Sequence, residues 1–144
     1  MTDSSQSSEK LAAFSLAWTQ SWASAINATD GFAALSHGWE GVICLSPLAQ
    51  EEATPSLFAS IELSSGMCSE PLSSDQAPPS PRLHLVADLG VWESVLEGRS
   101  DPILAITLGR IKLHSGSLAD VVKYRSAALA MIVAAQTIPT TFSE

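Results

Sequence analysis

Residues 87–116 read ADLGVWESVLEGRSDPILAITLGRIKLHSG and hold the chain's densest run of helix and strand boundary signals. Asp88 can cap a helix that Gly98 ends, because an Asp oxygen accepts a free backbone N–H and glycine tolerates the left-handed conformation after a helix. Asp101 followed by Pro102 predicts a second helix start, since proline fits the first helical position. The segment therefore predicts two short helices in succession after a strand end.

The second half of this segment predicts a return to the sheet. Gly109 ends the second helix, and residues 110–114 alternate between polar and apolar side chains as a strand does. The Ser115-Gly116 pair predicts a turn after that strand. The segment contains no catalytic motif, so we interpret it as a folding pattern.

Upstream, the sequence predicts a long helix followed by strands. Apolar side chains recur every three or four residues from Ser8 to Asn27, which is typical of a helix that packs on a sheet. Strands are predicted at residues 39–45, 56–63, 67–70 and 82–87. Gly66 marks the turn between the second and third of these strands.

Downstream, Ser117 predicts the start of a single helix that runs to about Gln136, since Pro139 prevents its continuation. On a helical wheel its apolar arc contains Leu118, Val121, Val122, Ala128, Leu129, Ile132 and Val133. Arg125 falls at the middle of this arc, where an always-charged guanidinium needs a partner. The element order predicts an α+β domain with helices packed on a mostly antiparallel, five-stranded sheet.

Composition limits the function classes. The 144 residues are 46% apolar and 15% charged, which fits one domain with a sizeable core. The net charge is −8, and residues 1–81 contain nine acidic groups and one basic group. Because an acidic surface repels phosphate backbones, nucleic-acid binding is not expected.

We expect residues 1–7 to be a disordered lead, residues 8–144 to form the domain, and the proline-rich residues 71–81 to be a surface loop. No apolar run approaches the ~18–20 residues of a membrane span, and the Ser-rich start lacks signal-peptide character, so a cytoplasmic location is predicted. Cys44 and Cys68 lack metal-ligand spacing. No metal and no cofactor are therefore predicted.

The order of these elements, with Ala87-Asp88, Gly98, Asp101-Pro102, Gly109 and Gly116 at its turning points, resembles the sterol carrier protein type-2 (SCP-type) lipid-binding family. The specific part of the resemblance covers about 30 residues, and residues 71–81 look like an insertion. The resemblance implies a non-catalytic protein that binds a fatty acid, fatty-acyl thioester, sterol or phospholipid in an apolar tunnel between sheet and helices. It implies no enzyme activity.

We expect the tunnel between the helices of residues 87–116 and the last helix. The candidate ligand-binding residues are apolar residues of these helices, together with Arg125. They are Trp92, Val95, Leu96, Ile103, Leu104, Ile106, Leu118, Val122, Arg125, Leu129, Ile132 and Val133. Arg125 could clamp a ligand carboxylate or phosphate, or its stem could lie along the core while its head reaches water. Trp18, Trp22 and Trp39 fit packing anchors better than ligand contacts.

Two alternatives stay open. The domain could be an accessory module that docks on a lipid-handling enzyme, with the same sequence features. A protein partner or a homodimer is compatible with them as well. An esterase-type hydrolase is the weaker alternative, because His37, His84 and His114 occur without a Gly-x-Ser-x-Gly or His-Glu-x-x-His motif.

Overall fold

The computed structural model describes residues 10–49 and 53–142, so the expected lead at residues 1–7 lies outside the described range. The strands are β1 (Leu11–Ala12), β2 (Gly41–Leu48), β3 (Phe58–Ser64), β4 (Met67–Ser74), β5 (Leu83–Asp88), β6 (Lys112–Ser115) and β7 (Thr140–Thr141). Strands β2 to β6 form one sheet in the order β4-β3-β2-β5-β6, while β1 and β7 pair in parallel as a separate two-stranded sheet.

The main sheet is mostly antiparallel. Of the four pairs of neighbouring strands in this sheet, β2 and β5 are parallel and the other three are antiparallel. The register of β2 and β5 places Ile43 opposite Leu83 and Leu45 opposite Leu85. These four side chains point to one face because alternate residues of a strand share a side. The α+β class and the five-stranded sheet are as the sequence predicts.

The helices cover that face. They are α1 (Leu16–Asn27), α2 (Phe32–Leu35), α3 (Leu89–Leu96), α4 (Pro102–Thr107), α5 (Leu118–Lys123) and α6 (Arg125–Gln136). Asp101 caps α4 by accepting from the Ile103 N–H at 2.8 Å, and Ser117 caps α5 by accepting from the Asp120 N–H at 3.1 Å. Asp88 occupies the N-cap position of α3 but makes no side-chain capping bond.

The first helix is shorter than its apolar periodicity predicts. It starts at Leu16, because Ser15 caps it and Phe14 has a positive φ of 64°, which no α-helix accommodates. The preceding residues instead form β1 against β7. The prediction of a helix is therefore wrong for residues 10–15 and confirmed for Leu16–Asn27.

The last helix is broken, contrary to the prediction of one helix over 118–136. Tyr124, with φ −106° and ψ 31°, separates α5 from α6, and its ring stacks on Trp39 with centroids 5.2 Å apart. Beyond the break, the face of α6 that packs inward is rich in alanine, which allows close approach to α1 and α3.

The proline-rich loop begins later than predicted, because β4 continues to Ser74. The ladder between β3 and β4 shifts register between Ser60 and Glu62, and Glu70 has a positive φ of 54° beside Pro71. Proline has no backbone N–H to donate to a neighbouring strand. Pro71 is tolerated here because β4 is an edge strand and its pairing with β3 is irregular at this point.

Candidate apolar cavity

A cavity lies between the main sheet and the helices. Its floor is formed by the register pairs Ile43–Leu83 and Leu45–Leu85 of β2 and β5. The remaining walls are side chains of the helices and their connections: Trp22, Trp39, Trp92, Pro102, Ile103, Ile106, Ile111, Val121, Ala128, Met131 and Ile132. Every lining residue is apolar or an indole.

The three lining tryptophans direct their polar atoms away from the cavity. The indole N–H of Trp22 donates to the Met131 carbonyl at 3.0 Å, and that of Trp92 donates to the Ser46 carbonyl at 2.9 Å. The indole N–H of Trp39 donates to the Asp120 carboxylate at 3.2 Å. Since each donor already has a partner, the cavity offers an apolar surface without hydrogen-bonding groups.

The cavity is small. Its volume is about 30 Å³, room for about two water molecules. Pockets that enclose small organic ligands typically measure roughly 300–1,000 Å³. A ligand of that size therefore requires the walls to move apart, and α4 and α5 are the shortest helical walls, at six residues each.

A polar cluster lies beside Trp39, whose indole N–H donates to one of its members, Asp120. The Arg82 guanidinium donates to the Asp120 carboxylate through two hydrogen bonds of 2.9 Å and also donates to the Glu40 carbonyl. The Arg82 hydrogen bond lowers the pKa of Asp120, and the Asp120 hydrogen bond raises the pKa of Arg82. No local sequence pattern predicts this pair, whose members are 38 residues apart.

The structure brings four of the predicted site residues to the cavity: Trp92, Ile103, Ile106 and Ile132. Val95 and Leu96 are buried in the core behind it, and Leu129 is half-buried. The side chains of Leu104, Leu118, Val122, Arg125 and Val133 are exposed. Arg125 thus does not occupy the middle of a buried face. The inward face of α5 and α6 is formed by Val121, Tyr124, Ala127, Met131, Ala134 and Ala135, and Arg125 lies beside it.

The site residues predicted from the sequence include none of the four floor residues and four of the eleven wall residues. Leu83 and Leu85 alternate on a predicted strand, and that alternation was the signal available for the floor. No sequence pattern predicts Ile111 or Met131 at the cavity, because their positions depend on where β6 starts and on which face of α6 packs inward. Trp22 and Trp39 line the cavity and also pack in the core.

A second cluster lies on the opposite face of the sheet. Ser46 and His84 are hydrogen-bonded, with Oγ and Nε2 2.9 Å apart, and the His84 ring lies 5.5 Å from the Phe58 ring and 5.4 Å from that of His114. Burial, with a smaller contribution from the charge of His114, lowers the pKa of His84 to about 4. His84 follows Leu83 and precedes Leu85 in β5, so its side chain points away from the cavity.

Within residues 10–49 and 53–142, no group of three or more His, Cys, Asp or Glu side chains is arranged to hold a metal ion. In the same residues, no helix combines the length and the apolar character needed to cross a membrane. Cys44 and Cys68 are free and buried, and burial raises the pKa of each thiol to about 12.

Solved structures share this architecture. A crystal structure of sterol carrier protein 2 matches with a TM-score of 0.78 and 26% sequence identity over 88% of this chain and 98% of that protein. A solution structure of a conserved hypothetical protein from Thermus thermophilus, suggested to be a sterol carrier protein, matches with a TM-score of 0.78 and 25% identity over 94% of this chain and 98% of that protein. No protein-family model and no curated protein sequence matches the chain. The chain has the sterol carrier protein 2 fold, which confirms the resemblance drawn from residues 87–116.

Proposed function

We propose that this protein binds an apolar ligand in the cavity between β2, β5 and the helices, without converting it chemically. The ligand class is a fatty acid, a fatty-acyl thioester, a phospholipid acyl chain or a sterol. The observation that carries the proposal is the lining itself, which is apolar throughout and contains three indoles whose N–H groups are satisfied elsewhere. The sterol carrier protein 2 fold supports the same ligand class.

The lining also limits how the ligand lies. Because burial of an unpaired charge is costly, a carboxylate or phosphate cannot enter this cavity. The charged head of such a ligand stays at the surface while its hydrocarbon part is buried. A sterol, with a single hydroxyl, is compatible with deeper burial only if the hydroxyl reaches the cavity edge.

Binding requires expansion. The cavity of about 30 Å³ is the closed state of the site, since an acyl chain needs several times that volume. We assign the opening movement to α4 and α5, which contribute Pro102, Ile103, Ile106 and Val121 to the wall. The Arg82–Asp120 hydrogen bonds fasten α5 to the start of β5 and oppose that movement.

The hydrolase alternative is not supported by the position of the Ser46–His84 pair. It lies on the sheet face away from the cavity, and His84 makes no hydrogen bond to a carboxylate among the described side chains. A catalytic serine needs a base that is oriented by a third group and that reaches the bound substrate. We therefore assign a non-catalytic role. The free thiols of Cys44 and Cys68 agree with a cytoplasmic location, which we include in the proposal.

The direct test uses the tryptophans as reporters. Three of the four tryptophans line the cavity, so a fatty acid brominated along its chain should quench intrinsic fluorescence on binding, in a saturable manner. The purified protein should also be extracted with organic solvent and the extract examined for lipid by mass spectrometry. A protein that contains no lipid and whose tryptophans are not quenched would contradict the proposal and favour the accessory-domain alternative.

A matched pair of variants locates the ligand. Ala128→Phe fills the cavity from α6, whereas Ala17→Phe adds the same side chain at an exposed position of α1. We expect Ala128→Phe to abolish quenching while circular dichroism shows a folded protein, and Ala17→Phe to bind as the wild type does. Equal binding by both variants would place the ligand elsewhere.

A further inference from the structure

The Arg82–Asp120 pair lies beside residues that line the cavity. Leu83 and Val121, which follow Arg82 and Asp120 in the chain, both belong to the lining. The indole of Trp39 also belongs to it, and its N–H donates to Asp120 at 3.2 Å. The pair still reaches solvent, because the Arg82 side chain is 35% exposed and the Asp120 side chain 18%. This position therefore borders both the apolar lining and water.

The charged groups at this position have a net positive charge. Arg82 and Lys123 are the cations, with the Arg82 Cζ 6.0 Å and the Lys123 Nζ 5.3 Å from the centre of the Tyr124 ring. Asp120 is the anion, and the charge of Lys123 adds to the effect of Arg82 in lowering the pKa of Asp120. The Glu40 carboxylate is engaged elsewhere, by a backbone N–H of the turn between β3 and β4. Two cations therefore lie around one carboxylate, in a protein whose net charge is −8.

The Asp120 carboxylate shows which chemical group fits Arg82. It accepts two hydrogen bonds of 2.9 Å from the guanidinium, the bidentate geometry that arginine and a carboxylate favour. The carboxylate of a ligand can accept the same two bonds. A sterol hydroxyl or a thioester carbonyl offers a single neutral oxygen and cannot accept them in this way.

We propose that the ligand is a free fatty acid whose carboxylate takes the place of Asp120 on Arg82, a proposal that rests on the lipid-binding function proposed above. The hydrocarbon chain lies in the cavity, past the Trp39 indole. Displaced from Arg82, Asp120 turns to water and α5 loses its attachment to the start of β5. The wall at Val121 is then free to move outward, so recognition of the head group and opening of the cavity are one event.

The charges and hydrogen bonds of the exchange balance. Two hydrogen bonds from Arg82 to Asp120 are replaced by two from Arg82 to the ligand, so the number of bonds is conserved. The bound carboxylate brings one negative charge to a cluster with one excess positive charge, from Lys123. Burial of the hydrocarbon chain drives binding, and the cluster selects the ionised acid over neutral lipids that have the same chain.

The test compares a fatty acid brominated along its chain with the methyl ester of the same acid, which has no charge. Quenching of tryptophan fluorescence at neutral pH gives a dissociation constant for each. The wild type should bind the acid about tenfold more tightly than the ester. High salt should reduce this acid-to-ester preference, because part of it comes from a partly exposed charge.

Two single-charge variants should change the preference in opposite directions. Lys123→Gln removes a cation and should lower it about threefold, whereas Lys112→Gln, at an exposed position of β6, should leave it at the wild-type value. Asp120→Asn removes the charge that competes for Arg82 and should raise the preference. Looser packing of α5 alone would change the binding of acid and ester alike and leave their ratio unchanged.

The outcomes separate recognition of the head group from the binding function. Equal binding of acid and ester by the wild type, or a preference that Lys123→Gln and Asp120→Asn leave unchanged, would overturn the proposal and keep a cavity for neutral lipids. A protein whose fluorescence neither compound quenches would overturn both proposals. Arg82→Lys keeps the charge but loses the bidentate geometry, so it should also reduce the preference.

Discussion

Arg82 and Asp120 are joined by two parallel hydrogen bonds of 2.9 Å, one from Nε to Oδ2 and one from Nη2 to Oδ1. The same carboxylate accepts from the Trp39 indole at 3.2 Å, and Trp39 stacks on Tyr124 at the end of α5. Through this pair the short helix α5 is attached to the sheet at the edge of the cavity. The pair thus connects the stability of the fold with access to the proposed ligand site.

Asp120→Asn should therefore loosen α5. Removal of the negative charge weakens a bidentate, charge-assisted interaction at a partly exposed site, for which a loss of about 1 kcal/mol is expected. We expect a lower midpoint in urea denaturation and faster fatty-acid association in stopped-flow tryptophan fluorescence. Arg99→Gln is the control, because it removes the more exposed Arg99–Glu97 pair, away from the cavity lining. If Asp120→Asn bound fatty acid at the wild-type rate, the Arg82–Asp120 pair would not control entry of the ligand into the cavity.

His84 should make stability pH-dependent in the acid range. Its pKa in the folded protein is about 4, below its ordinary value of 6.5. Because the pKa of His84 is lower in the folded protein, protonation of this side chain favours the unfolded chain. The contribution of neutral His84 to the free energy of unfolding is therefore complete above pH 6.5 and is lost as the pH falls toward 4.

Urea denaturation at a series of pH values tests this expectation. His84→Gln keeps a polar group beside Ser46 but does not titrate, so it should flatten the stability profile between pH 6.5 and 4. His37→Gln, at an exposed histidine, should leave the slope as it is. A profile that keeps its full slope in His84→Gln would assign the acid sensitivity to other groups.

Gly116 should tolerate no side chain. Its φ is +99°, and a Cβ would lie 2.8 Å from the Arg82 carbonyl oxygen. Gly98 also has a positive φ, of +80°, but a Cβ there would meet no atom within 4 Å. Gly98→Ala should cost about 1–2 kcal/mol from backbone conformation alone, and Gly116→Ala should cost more because of the added clash. Equal thermal midpoints for the two variants would contradict the close approach at Gly116.

Arg125→Ala tests the head-group clamp that the helical wheel predicts. Arg125 is exposed and does not line the cavity, so we expect fatty-acid affinity to stay at the wild-type value. The measurement is a titration with a brominated fatty acid, with Arg99→Ala as the control for an exposed arginine. A loss of about tenfold, equivalent to about 1.4 kcal/mol, would instead show that the guanidinium reaches the ligand.

Much of the fold could be predicted because its signals are local. Asp101-Pro102 and Ser117 start helices through hydrogen bonds to residues two or three positions away, and Gly98, Gly109 and Gly116 adopt the positive φ values expected of stops and turns. The alternation of apolar residues in β5 likewise fixes which side chains face the helices. These features depend on the chain's own neighbours, so the order of the elements and the sterol-carrier-type architecture follow from them.

Tertiary structure decided the rest, because the deciding contacts join residues far apart in the sequence. Periodicity continues through Tyr124, yet stacking on Trp39, 85 positions earlier, accompanies the break between α5 and α6. Beyond the break Arg125 is exposed, and Ala128, Met131 and Ile132 line the cavity. The sequence by itself therefore determined the scaffold and the apolar character of the site. The pairing of Arg82 with Asp120, and the side of each helix that faces the cavity, depended on packing that no local pattern encodes.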